Sequence, residues 1–116
     1  RSWVIGRPAA LLLTRADATV TLCHRKTPDL AARCREADIL LAAAGAPGLI
    51  TPACVHPGQI VLDAGVTALP DGTLLGDVAA AGTVAACTPV PGGVGSVTTA
   101  LLLLHTVQSA EIFRQF

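Results

Sequence analysis

An α/β fold, a doubly wound parallel sheet with flanking helices, is what this sequence predicts, and two observations carry the prediction. Short apolar runs rich in β-branched residues alternate with helix-start signals such as Thr27-Pro28 and Thr51-Pro52, a rhythm that places parallel strands between crossover segments. The sequence also opens in the loop entering a helix, with no strand ahead of it. A doubly wound sheet has a strand there, so the first strand is expected to be missing and the sequence to be a piece of a longer protein.

The elements follow in order. Gly6–Arg15 is expected to be a helix, because Pro8 suits a first turn and residues 9–13 are apolar helix formers. Thr19, Val20, Thr21, Leu22 and Cys23 read as a strand by β-propensity. Thr27 as N-cap, Pro28 at the first helical position and Asp29 near the positive end predict a helix to about Ala37. Residues 39–43 and 59–63 are apolar strands, separated by a short helix that starts at Thr51-Pro52 and reaches about Val55. Leu69-Pro70-Asp71-Gly72 is a turn, since Pro presets φ and Gly accepts a positive one. Residues 84–88 form the last strand. Residues 89–95, with two prolines and three glycines, can be neither helix nor central strand. A closing helix over residues 97–114 is apolar on most faces, so it calls for a covering partner.

Composition excludes several functions. The 116 residues set a prior of one domain. Eight basic against eight acidic residues leave no positive field for nucleic acid. An apolar fraction of 52% with 14% charged residues is incompatible with disorder. Despite a mean hydropathy of +0.61, the densest apolar run ends at His105-Thr106, far short of the ~20 residues a bilayer needs. No secretory leader is visible at Arg1-Ser2-Trp3-Val4. Cys23, Cys34, Cys54 and Cys87 form no C-x-x-C pair and no zinc spacing with histidine. They read as small hydrophobes in a reducing cytosol, with no metal and a cytoplasmic location.

Three places carry candidate chemistry. The entry segment around Ser2, Gly6 and Arg7 leads into a helix N-terminus, which favours a phosphate but equally describes an ordinary capped helix. About twenty residues on, where a dinucleotide fold keeps an acid for the ribose, stands His24-Arg25-Lys26-Thr27. Two cations and a hydroxyl suit a 2′-phosphate, hence NADP over NAD; the alternative is a solvated basic turn. Asp63, in Asp63-Ala64-Gly65-Val66, ends a parallel strand, at the edge where such sheets bind ligands. It is a candidate catalytic acid or, more commonly, a cap for nearby N–H groups, and Asp77 shares the ambiguity. His24, His56 and His105 do not cluster; His105, among leucines, reads as a core or interface residue.

Taken together, Arg1-Ser2-x-x-Ile5-Gly6-Arg7-Pro8, Ala18 to His24 with Lys26-Thr27, Ala37-Asp38-Ile39, Pro57-Gly58, Asp63-Ala64-Gly65-Val66, Gly76-Asp77-Val78 and the run from Thr88 to Gly95 are similar to one family in the same order. The chain resembles, over essentially its whole length, the C-terminal NADP-binding part of bifunctional methylenetetrahydrofolate dehydrogenase/methenyltetrahydrofolate cyclohydrolase. The resemblance implies a Rossmann-like domain over residues 1–95 and a helix over 96–116 that returns towards a folate-binding domain. It implies NADP as cofactor, held by Arg1, Ser2, Arg25, Lys26, Thr27, Ala64, Val66 and Thr98. It implies a substrate-side loop of Pro91, Gly92, Gly93, Val94 and Gly95. Arg25 stands where the family usually has Ser, and Ser96 where it usually has Pro. Tetrahydrofolate derivatives as substrates, a homodimer, and a cytoplasmic role in one-carbon metabolism for purine and amino-acid biosynthesis are also implied. The family's catalytic Tyr and Lys lie in the folate-binding domain, and this chain has no tyrosine. No catalytic residue is therefore expected here. A non-catalytic nucleotide-binding or subunit-association module derived from the family is the alternative.

Overall fold

The computed structural model describes residues 2–114, so the assignment made for Arg1 lies outside the described residues. Helix α1 (Gly6–Arg15) forms where expected. Ser2 starts it: its Oγ accepts from the N–H groups of Ile5 at 3.0 Å and Gly6 at 3.1 Å, and its carbonyl accepts from Arg7. The helix stops at Ala16, and Asp17 turns the chain with φ of 62°, a left-handed conformation that Asp tolerates better than most residues.

The strand expected over residues 19–23 does not form. Its residue types favour extension, and the segment carries no helix. No strand lies beside it among the described residues, however, so its backbone groups have no ladder to join. A second correction concerns the next helix, α2 (Leu30–Arg35), which is shorter than expected and is capped by Asp29 instead of Thr27. Asp29 sits at φ of 46° and accepts from the N–H of Ala32 at 3.1 Å. Thr27 is committed elsewhere, because its Oγ1 accepts from the N–H of His24 at 2.9 Å.

Three parallel strands make the sheet, in the order β1 (Ile39–Ala42), β2 (Ile60–Asp63), β5 (Ala86–Cys87). Leu40 pairs with Val61 and Ala42 with Asp63, which puts these four on one face. Against that face lies α2 with the 3₁₀ turn Pro52–Cys54, and Cys34, Ile50, Cys54, Val55, Val61 and Ala80 close the core. Gln59 ties the layers together from full burial: its Nε2 donates to the carbonyls of Cys34 and Ala37, both at 2.7 Å. The opposite face is open. Ile39 and Ile60 remain 56% and 44% exposed, although doubly wound sheets are ordinarily covered on both sides.

Between β2 and β5 the crossover holds no α-helix. It holds a hairpin, β3 (Thr67–Ala68) with β4 (Leu74–Leu75), and the 3₁₀ turn Ala81–Thr83. The expected turn closes the hairpin: Leu69 donates to the carbonyl of Thr73 at 2.8 Å, and Gly72 has φ of 85°. Helix α3 (Val94–Phe113) starts three residues earlier than expected. Val94 and Gly95, assigned to a loop, form its first turn. None of its residues is buried, and His105 is exposed, so the core reading of that histidine is corrected. The projecting helices raise the radius of gyration to 16.2 Å, against about 13 Å for a compact domain of this length.

Candidate functional site

A cleft of about 410 Å³ opens at the C-terminal ends of β2 and β5, the edge at which open α/β sheets take ligands. Ala64 and Val66, which leave β2, form one side, and residues 89–96 form the other. Thr98 and Thr99 from the first turns of α3, Leu74 from the hairpin and Ile5 from the start of α1 complete the lining. Of the residues expected to bind ligand, Ala64, Val66, Pro91, Gly92, Gly93, Val94, Gly95 and Thr98 therefore meet around one space. Gly93 is demanded by geometry, since a β-carbon there would run into the carbonyl of Pro89 and lie 3.1 Å from Cβ of Thr88. The bend that brings the proline-rich segment over the cleft needs that missing side chain.

Two buried carboxylates brace this region: Asp63, which is part of the lining, and Asp77, which is outside it. Asp63 Oδ1 accepts from Gly65 at 2.9 Å and Asp77 at 3.1 Å, and its Oδ2 accepts from Val78 at 3.0 Å. Asp77 in turn accepts from the N–H groups of Ala44, Gly45 and Ala46. Both aspartates act as caps for loop backbone, the commoner of the two roles open to them. Buried N–H groups must be satisfied, and a carboxylate satisfies several at once. Sequence reading did not find that Gly65 packs on Asp77 and Gly76 on Asp63, leaving no room for a β-carbon at either glycine. Both glycines stand beside an aspartate in the motifs, but nothing in the sequence pairs them across the intervening hairpin.

The basic turn is separate from this lining. His24 Nδ1 accepts from the N–H of Lys26 at 3.1 Å, and Thr27 closes the turn onto His24, so the backbone is held while the Arg25 and Lys26 side chains stand in solvent. Among the described residues the single salt bridge is Arg33 with Glu36, which leaves both cations without an acidic partner. Ser2 also lies outside the lining, its oxygens engaged with the start of α1. Thiol chemistry is disfavoured: burial pushes the Cys34 thiol up to about 11, and burial beside Asp63 raises that of Cys87. Among the described residues no group of three His, Cys, Asp or Glu side chains is placed to hold a metal ion. The cleft is lined mostly by apolar and glycine residues, and the two cations of the basic turn lie outside it.

The sequence profile of the tetrahydrofolate dehydrogenase/cyclohydrolase NAD(P)-binding domain matches residues 1–114. The chain belongs to that family. A bifunctional FolD protein of Rhodococcus jostii is 61% identical over 113 residues, which cover 95% of this chain and 38% of the relative. One from Thermomicrobium roseum is 54% identical over 117 residues, 99% of this chain and 40% of the relative. The chain thus spans about two fifths of the length of these relatives. Among solved structures, the FolD dehydrogenase/cyclohydrolase of Campylobacter jejuni superposes with a TM-score of 0.89 at 44% identity, over 96% of this chain and 40% of that one. The Trypanosoma brucei enzyme, complexed with NADP and an inhibitor, gives 0.79 at 43% identity, over 88% of this chain and 38% of that one. The parallel α/β sheet expected from the sequence is the fold of these NAD(P)-binding domains.

Proposed function

We propose that this chain is the NADP-binding part of an enzyme that oxidises methylenetetrahydrofolate and then hydrolyses the methenyl product to formyltetrahydrofolate. The observation that carries the reading is the family match over residues 1–114, which includes every segment lining the cleft. Bound NADP would supply the hydride acceptor. Ala64, Val66 and Thr98 would hold it in the cleft, with Arg25, Lys26 and Thr27 on its 2′-phosphate and Arg1 and Ser2 on the backbone side. Residues 91–95 would face both cofactor and folate. Among the described residues that line the cleft, Asp63 is the one acid or base, and its carboxylate oxygens are occupied by N–H donors. The catalytic groups belong to a folate-binding domain, towards which residues 96–116 lead. The remaining parts of the reading are a homodimer, a cytoplasmic location and a role in one-carbon supply for purine and amino-acid synthesis, without nucleic-acid or membrane partners. No helix among the described residues is long and apolar enough to cross a membrane.

Cofactor titration tests the reading. NADP should bind about tenfold or more tightly than NAD, and Arg25→Ala should remove most of that difference, since a charge-assisted phosphate contact is worth about 1.5–3 kcal/mol. Equal affinities, or an Arg25→Ala effect shared by both cofactors, would overturn it.

A further inference from the structure

We infer that Asp63 is a positioning residue for the dinucleotide, acting through the backbone that walls the cleft, and that Gly65 and Asp77 complete the device. The inference rests on the cofactor-binding reading above.

Asp63 is 3% exposed and still borders the cleft. Its carboxylate holds Gly65, the residue between the two lining positions Ala64 and Val66. It also holds Asp77 and Val78, just beyond the hairpin that supplies Leu74 to the lining. Its own N–H donates to Thr88 Oγ1 at 2.8 Å, which anchors the start of the proline-rich side. One residue therefore connects the β2 exit, the hairpin exit and the β5 exit.

A cap that served only its own strand would not reach all three. The arrangement is closed a second time by packing. Gly65 leaves room for the Asp77 carboxylate, Gly76 leaves room for Asp63, and a β-carbon at Gly76 would also lie 2.9 Å from Cγ2 of Val90. Asp77 then fixes residues 44–46 beyond β1. With every oxygen accepting from backbone, the walls are set before a ligand arrives, which lowers the ordering cost of binding.

Asp63→Asn in the complete protein is the test, because an amide places a donor against one of three N–H donors. The KM for NADP should rise about tenfold, by more than kcat falls, while the KM for the folate substrate changes less. A brace for the fold alone would behave differently: the active fraction, and so kcat, would drop with the NADP KM unchanged, and that result overturns the inference. Gly65→Ala perturbs the same wall without removing an acceptor and should weaken NADP in the same direction; unaltered NADP binding in that variant also counts against it. Should neither variant fold, hydrogen exchange on the unsubstituted protein decides. Amides of Gly65, Asp77 and Val78 protected before NADP is added support a preset wall, and protection that appears only with NADP refutes it. If the unsubstituted protein fails to bind NADP at all, it is the cofactor reading that falls.

Discussion

At Cys34, burial is the largest influence on the residue's chemistry. Its thiol projects from α2 into the core, and desolvation, reinforced by nearby Cys54 and Cys23, raises its pKa from 9.0 to about 11. At pH 8 a thiol of ordinary pKa is about one-tenth thiolate, whereas at 11 the fraction is about one in a thousand. Native alkylation at Cys34 should therefore run about a hundredfold slower than in the denatured chain, and mass spectrometry of partly alkylated protein reads this directly. Because the folded value lies above the unfolded one, this thiol's contribution to stability is complete below pH 9 and is lost as pH rises towards 11. Equal alkylation rates in the two states would contradict the buried placement. The sequence reading of the cysteines as small hydrophobes rested on the absence of any ligand spacing, and two of the four are buried and two half-buried, all free. What composition could not convey was the proximity of Cys34 to Cys54, which arises only when α2 meets the 3₁₀ turn.

At the scale of elements, α3 separates propensity from packing. Its helix forms over Val94–Phe113 without burying one residue, and Leu102 and Leu103 stay 66% and 65% exposed. A fully buried leucine is worth roughly 1.5–3 kcal/mol, so this surface favours association. Replacing Leu102 and Leu103 together by Ser should reduce self-association of the chain in sedimentation. The melting transition of the dilute monomer should stay where it was, because neither leucine supports the core. A lowered monomer melting temperature would show that α3 folds back onto the sheet. The all-round apolar pattern of this helix was legible from the sequence, as were β1, β2 and the 69–72 turn, since each depends on local periodicity or turn chemistry. The strand expected at residues 19–23 was not, because a strand exists only with a neighbour. The hairpin β3–β4 escaped notice for a related reason: two-residue strands carry no periodicity to read.

At the scale of the described molecule, packing is one-sided. One sheet face is packed and the other is open, α1 and α3 bury none of their residues, and the radius of gyration exceeds that of a compact domain. What this chain assembles is a rigid base: a sheet edge, two capped carboxylates and a glycine-rich bend. Hydride transfer requires more, because both reactants must be held within a few ångströms in line, and restricting them in that way contributes about 7–11 kcal/mol of the barrier reduction. Among this chain's candidate groups, the aspartates are fully engaged with backbone donors. The raised thiols of Cys34 and Cys87 stay protonated near neutrality. The single lysine, Lys26, lies in the basic turn, outside the lining of the cleft. The 116-residue chain should therefore bind NADP yet give no turnover with methylenetetrahydrofolate, followed by reduced-nicotinamide absorbance. The complete protein, assayed alongside, should turn over. Turnover by the isolated chain would contradict this division of labour and direct attention to His24 and His56, the two histidines that are partly buried and hydrogen-bonded.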